Sequence, residues 1–194
     1  WIRSDSSEQS IKKICEQVAS TNFSLRYVVI ATGILHDKSK GIKPEKRVSS
    51  LSTDTMHEVF HINTFLPLQW LKGFTMLLDK KHPTNIAVLS ARVASIDDNH
   101  LGGWYSYRAS KAALNMLLKS LAIEYKRRFP KTKVTSFHPG TTDTSLSKPF
   151  QAGVPEKKLF TAEFVAQSLH QLLQVSVPDG ELSFQDWAHK KIPW

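Results

Sequence analysis

The chain reads as a single α/β domain built on a parallel sheet, and three observations lead there. Its 194 residues fit one domain. Short apolar runs rich in β-branched residues recur along it, closed by glycine or polar turns. Between them lie longer segments whose apolar residues repeat at helical spacing. Strands joined through helices of this length form βαβ units with right-handed crossovers.

Each element has its own signal. Ser6-Ser7-Glu8-Gln9 has the Ser-x-x-Gln spacing of a capping box, and Ile11, Ile14, Cys15 and Val18 follow at helical spacing, so a helix is expected over about 7–20. Arg26 to Ala31 is a buried strand ended by Thr32-Gly33, and the Lys-, Ser-, Gly- and Pro-bearing stretch from His36 to Ser52 is a loop. Thr53 or Asp54 caps a long helix to about Lys80, with a kink expected at Pro67. Asn85 to Ser90 is the next strand, and after the loop through Gly102-Gly103 a helix runs from about Trp104 to Arg128. Val134 to Phe137 is a strand closed by Pro139-Gly140, Thr161 to Val175 is a helix, and Leu182-Ser183-Phe184 is a last strand. In such a sheet ligands sit beyond the carboxyl ends of the strands, so the segments after Ala31, Ser90 and Phe137 surround one site.

Composition narrows the class further. With 41% hydrophobic and 22% charged residues, the chain is neither disordered nor fibrous. No apolar run is long enough to span a membrane, and WIRSDSSEQS lacks the apolar core of a signal peptide. One cysteine, Cys15, excludes an internal disulfide and favours a reducing, cytoplasmic setting. The net charge of +9 is scattered in pairs such as Lys12-Lys13, Lys80-Lys81 and Arg127-Arg128, which reads as a solvated surface and not as a nucleic-acid tail.

Two motifs compete for the chemistry. Tyr107 and Lys111 lie four apart on one helix face, where an ammonium beside a phenol favours phenolate and lowers the tyrosine pKa. About 0.4 such pairs arise by chance in a chain of this composition. His57-Glu58-Val59-Phe60-His61 matches the H-E-x-x-H zinc signature, with a chance expectation of about 0.01. Context reverses the ranking: His61 is followed by Ile62-Asn63-Thr64-Phe65 and not by the glycine and third histidine of the metzincin extension, and no carboxylate follows until Asp79. A zinc hydrolase using His57, Glu58 and His61 therefore ranks third, and no metal is expected.

Set in order along the chain, these residues resemble the short-chain dehydrogenase/reductase family and, within it, the C-factor-like group. The resemblance rests on Ile30-Ala31-Thr32-Gly33, on Asn63 in the long helix, and on Ser90 through Ile96 leading to Leu101 through Lys111. His138-Pro139-Gly140-Thr141-Thr142-Asp143-Thr144, Ile192-Pro193-Trp194 and Asp5 before the first helix complete it. It implies a Rossmann-like, doubly wound sheet and an NAD(P)-dependent oxidoreductase acting on an alcohol or carbonyl, assembled as a homodimer or homotetramer. Tyr107 would exchange the proton, Lys111 would support it and bind the nicotinamide ribose, and Asn63 would hold a water. Ser90 would polarise the carbonyl, with Ser95 as the alternative, because the family's Ser-Ser pair reads Ser90-Ala91 here. Asp5, Ala31, Gly33, Tyr107, Lys111, Pro139, Gly140, Thr142 and Thr144 would contact NADP or NAD. A non-catalytic or signalling protein retaining the fold is the alternative reading.

The resemblance also exposes a departure. None of the eight glycines forms the family's pyrophosphate-binding fingerprint. Trp1-Ile2-Arg3 resembles the end of the family's third strand, and the chain begins without methionine. The expectation is an N-terminally incomplete domain over 1–194, preceded natively by about 50 residues, the size of a βαβ unit, and an exposed apolar edge at Val28 to Ala31. The segment from Thr144 to Leu159, with Leu146, Phe150, Val154 and Leu159, is expected to cover a partly hydrophobic substrate.

Overall fold

The computed structural model describes residues 2–21 and 23–194. Four strands, β1 (Tyr27–Ile30), β2 (Thr84–Leu89), β3 (Thr132–His138) and β6 (Leu182–Asp186), form one parallel sheet in the order β1-β2-β3-β6. Ile30 pairs with Val88, Val88 with Ser136, and Ser136 with Phe184, so the carboxyl ends of all four strands come level along one rim.

Helices cover both faces, as a doubly wound sheet requires. On one face Val28, Ile30, Ile86, Val88 and Val134 pack against Leu71 of α3 (Leu66–Thr75) and against Leu114, Leu118, Ala122 and Tyr125 of α4 (Tyr105–Arg128). On the other, Ala87 and Phe137 meet Val165, Leu169, Leu172 and Leu173 of α5 (Ala162–Val175). Each fully buried leucine contributes about 2 kcal/mol of transfer free energy, which makes these two layers the main stabilising contacts.

Local differences from the sequence expectation have identifiable causes. Helix α1 (Glu8–Ala19) is capped by Ser7, whose Oγ accepts from the Ser10 N–H at 3.2 Å; the expected Ser6 to Gln9 box does not form, because Ser6 sits outside the helix at φ 63°. The single long helix is instead α2 (Thr53–Phe60), a π-helical turn over His61–Phe65, and α3, which ends short of Lys80. Pro67 in the first turn of α3 cannot donate to the Asn63 carbonyl four residues back, and the extra residue of the π turn absorbs that break. Strands β4 (Thr141–Thr142) and β5 (Leu159–Phe160), two residues each and below the reach of pattern reading, pair in parallel and clip together the ends of the 143–158 segment.

The reading of Trp1-Ile2-Arg3 as strand is not met where it can be checked. Trp1 lies outside the described residues, and Ile2 and Arg3 pair with no neighbour. Among the described residues β1 therefore forms the edge of the sheet, with Val28 and Ile30 buried and Val29 50% exposed.

Candidate active site

Asn63 is the hub of the rim. The π turn directs its fully buried amide across to the backbone after β1, where Oδ1 accepts from the Ile34 N–H at 2.7 Å and Nδ2 donates to the Ile34 carbonyl at 2.9 Å. The same Nδ2 reaches the Ser110 hydroxyl at 3.1 Å, and Thr64 donates to the Ser110 carbonyl at 2.8 Å. One element thus fixes both the turn carrying Gly33 and the helix carrying Tyr107 and Lys111. A Cβ on Gly33 would lie 3.5 Å from Lys111 Nζ and 3.6 Å from Asn63 Oδ1, so the glycine keeps open the space that these groups face.

Lys111 is buried, and its Nζ donates to the Leu89 carbonyl at 2.8 Å. Burial pushes its pKa down to about 8 and pushes the Tyr107 phenol up to about 12. The expected lowering of Tyr107 by Lys111 is therefore not met: the cause of its shift is loss of water around the phenol. Burial thus favours the neutral phenol over the phenolate.

The serines are otherwise engaged. Ser90 Oγ donates to Asn115 Oδ1 at 2.9 Å, an atom that also accepts from Ser136 Oγ at 2.6 Å, so Ser90 ties β2 and β3 to α4. Ser95 Oγ donates to the Trp194 carbonyl at 3.3 Å and accepts from the Asp98 N–H at 3.0 Å. Neither the Asn115 link nor the anchoring of the 93–103 loop was foreseen. That loop is held by Arg108, whose guanidinium donates to the carbonyls of Gly103 at 3.0 Å, Gly102 at 3.1 Å and Val93 at 3.4 Å.

The other candidates divide. Beyond β1 and β3, Thr32 Oγ1, His138 Nδ1 and Thr142 Oγ1 are buried without a hydrogen-bond partner, and burial pushes His138 down to about 4. Unpaired buried polar atoms are costly; Asn85, Thr132 and Thr135, away from the rim, carry others. Pro139 and Gly140 (φ 72°) turn the chain from β3 towards Thr142, whose carbonyl accepts from Ser147 at 2.5 Å and, at 3.4 Å, from Thr144. Ala31 is exposed at the end of β1. Asp5 is exposed, and its carboxylate accepts from the Ser7 N–H and Oγ, hydrogen bonds that hold it below the usual carboxylate range.

An aromatic wall closes the site. Trp104 stands edge-on to Tyr107 at 6.2 Å and packs on Phe150 at 5.2 Å, while Phe150 meets His36 at 5.7 Å. Below it, Gly33, Ile34, Leu35, His36, Ser145 and Leu146 line a cavity of about 290 Å³. Phe150 and Leu146 belong to the segment expected to cover the substrate.

The H-E-x-x-H motif is not organised for a metal. His57 and His61 are exposed, Glu58 is paired with Lys40, and among the described residues no group of three or more His, Cys, Asp or Glu side chains converges. No helix among the described residues is long and apolar enough to cross a membrane.

A parallel sheet with Asn63, Tyr107 and Lys111 at its carboxyl rim is the framework of the short-chain dehydrogenase/reductase fold. The family model described as short chain dehydrogenase matches residues 3–154, and the chain belongs to that family. It is 28% identical over 179 residues to 1-hydroxy-2-glutathionyl-2-methyl-3-butene dehydrogenase of Rhodococcus sp. (strain AD45), covering 92% of this chain and 73% of that protein. It is 29% identical over 140 residues to C-signal of Myxococcus xanthus, covering 72% and 78%. Among solved structures, NADPH-bound carbonyl reductase from chicken fatty liver superposes with a TM-score of 0.80 at 24% identity, over 97% of this chain and 74% of that one, which shows the shared fold.

Proposed function

We propose that the protein reduces a flat, aromatic ketone, with NADPH as hydride source and Tyr107 as the proton donor. The observation that carries this reading is the convergence of Lys111 Nζ and Asn63 Oδ1 on the space in front of Gly33, with Tyr107 one turn before Lys111 on the same helix. Thr32, His138 and Thr142 fit a nucleotide there, since each offers a buried polar atom that the protein leaves unpaired. NADPH is taken ahead of NADH because solved neighbours carry the phosphorylated form. When bound, the nicotinamide supplies the hydride.

The residues of the chain do the rest. Tyr107 gives its proton to the substrate oxygen as negative charge develops there; burial keeps the phenol in the protonated form that the step needs. Lys111, charged below about pH 8, stabilises the phenolate left behind and, with its Nζ facing the space beside Gly33, would bind the cofactor's ribose. Asn63 holds the turn and the helix at fixed separation and keeps a water at its proline-freed carbonyl. Ser90 acts from behind, through Asn115, and not on the carbonyl. Trp104, Phe150 and His36 exclude water and select aryl groups by stacking, worth about 1 kcal/mol per ring pair.

The test is NADPH consumption with an aryl diketone, 1-phenylpropane-1,2-dione, against a linear aliphatic ketone. Turnover at least tenfold better on the aryl compound supports the reading, and aliphatic preference contradicts the substrate class. The similarity to C-signal favours a second reading, a signalling protein that retains the fold; it predicts NADPH binding without turnover on any carbonyl. Met116, Leu117 and Ile123, exposed on α4, support the homodimer reading, which light scattering on the eluted protein decides.

A further inference from the structure

The helix that carries Tyr107 begins without a cap of its own. Trp104, at its N-cap, has the left-handed conformation (φ 52°), and its side chain accepts from none of the first-turn amides. Four amides there need acceptors. The supply comes from 60 residues upstream. Glu45, 6% exposed, accepts from the Ser106 N–H through Oε2 at 3.1 Å and from the Ser106 hydroxyl through Oε1, while its carbonyl accepts from the Trp104 N–H. Ser106 is itself buried.

Glu45 is the only acidic residue between Lys38 and Arg47, a stretch that carries the exposed lysines Lys40, Lys43 and Lys46. The loop delivers it by anchoring Ile42, 2% exposed, in a two-hydrogen-bond bridge with Asp37. A carboxylate taken out of water and given to a helix N-terminus is worth keeping only where the helix start must be held, because its burial is costly unless fully hydrogen-bonded. What is held is Trp104 and Tyr107, one wall of the site and its acid, on either side of Tyr105 and Ser106. Lys111, a turn further on, has its own anchor at Leu89.

We propose that Glu45 is a positioning residue for Tyr107: a latch from the basic loop that fixes the first turn of α4 and so sets the phenol against the substrate oxygen. The proposal rests on Tyr107 as proton donor. Releasing the latch frays residues 104–107, which displaces the phenol and leaves the cofactor contacts of Lys111, Asn63 and Gly33 in place. A displacement of about 1 Å costs on the order of 100-fold in rate.

The test uses the whole chain with Glu45→Ala, Glu45→Gln and Glu45→Asp. Two readouts are taken: NADPH-dependent turnover of 1-phenylpropane-1,2-dione, and amide hydrogen exchange over residues 103–108. Glu45→Ala is expected to lower kcat by about 100-fold with the KM for NADPH within twofold, and to speed exchange of the 104–107 amides at least tenfold. Glu45→Gln keeps an acceptor at the right reach and should stay within about fivefold of wild type. Glu45→Asp keeps the charge and loses the reach, and should behave like alanine; this pair decides the matter if the alanine variant does not fold. Unchanged exchange in Glu45→Ala or Glu45→Asp, or a kcat within threefold of wild type, overturns the latch. A wild type that turns over no carbonyl overturns the reductase reading instead, and the exchange data still decide whether Glu45 holds the helix start.

Discussion

Replacing Lys111 by methionine should make the protein more stable while abolishing its chemistry. The ammonium is fully buried and its pKa falls from 10.5 to about 8 because water is lost around it. At roughly 1.4 kcal/mol per tenfold, that displacement costs about 3 kcal/mol at neutral pH. Methionine of similar length removes the cost and forfeits the hydrogen bond to the Leu89 carbonyl, worth about 1 kcal/mol, for a net gain of about 2 kcal/mol. The sign fixes the pH window. Below about pH 8 both folded and unfolded wild type hold the proton, and the full cost is present. Between 8 and 10.5 the unfolded chain binds the proton that the native state has released, so wild-type stability rises with pH. Urea unfolding at pH 7, 8, 9 and 10 measures this directly: Lys111→Met leads by about 2 kcal/mol at pH 7, and the lead shrinks through 10. A variant less stable than wild type at pH 7, or a difference independent of pH, refutes the reasoning. A gain of this kind is the signature of a residue kept for function at the expense of stability.

Other substitutions probe the rim. Gly140→Ala should cost about 2–4 kcal/mol in urea unfolding, because its Cβ would lie 2.6 Å from the Phe160 ring and 2.8 Å from Trp187 at a φ of 72°. Gly33→Ala should leave stability within about 0.5 kcal/mol, since its Cβ meets nothing closer than 3.5 Å, yet weaken NADPH binding at least tenfold by calorimetry. His138, pushed down to about 4 chiefly by burial and then by Arg92, stays neutral in the native state while the unfolded chain takes up a proton from pH 6.5 downward. Wild type should lose about 3 kcal/mol between pH 6.5 and 4 through this group, and His138→Asn should flatten that limb of the stability curve.

The fold was legible because its layers are written in period. Val28-Val29-Ile30, Ile86-Ala87-Val88 and Leu114, Leu118 and Ala122 announce buried strands and a buried helix face before any contact is known. The helix break was half legible. Pro67 marked a disturbance, but the extra residue that makes the turn at His61–Phe65 π-helical serves Asn63, whose partners at Ile34 and Ser110 lie far away in sequence. Tyr107 and Lys111 were paired by spacing, and the direction of the Tyr107 pKa was misjudged because burial cannot be read from a pair of letters. Glu45 was invisible for the same reason: a lone acid among lysines looks solvated until its carboxylate is seen at Ser106. The aromatic wall joins His36, Trp104 and Phe150 from three loops, a grouping only the tertiary structure creates.

The most direct measurement of the central claim follows deuteride from C4-labelled NADPH into 1-phenylpropane-1,2-dione, with wild type and Tyr107→Phe side by side. The expected result is labelled alcohol from wild type and a rate at least 1,000-fold lower from Tyr107→Phe, at the upper part of what positioned acid catalysis supplies, with NADPH affinity unchanged. Equal rates from the two proteins, or no label in the product, would contradict the assignment of Tyr107 as the proton donor in hydride transfer.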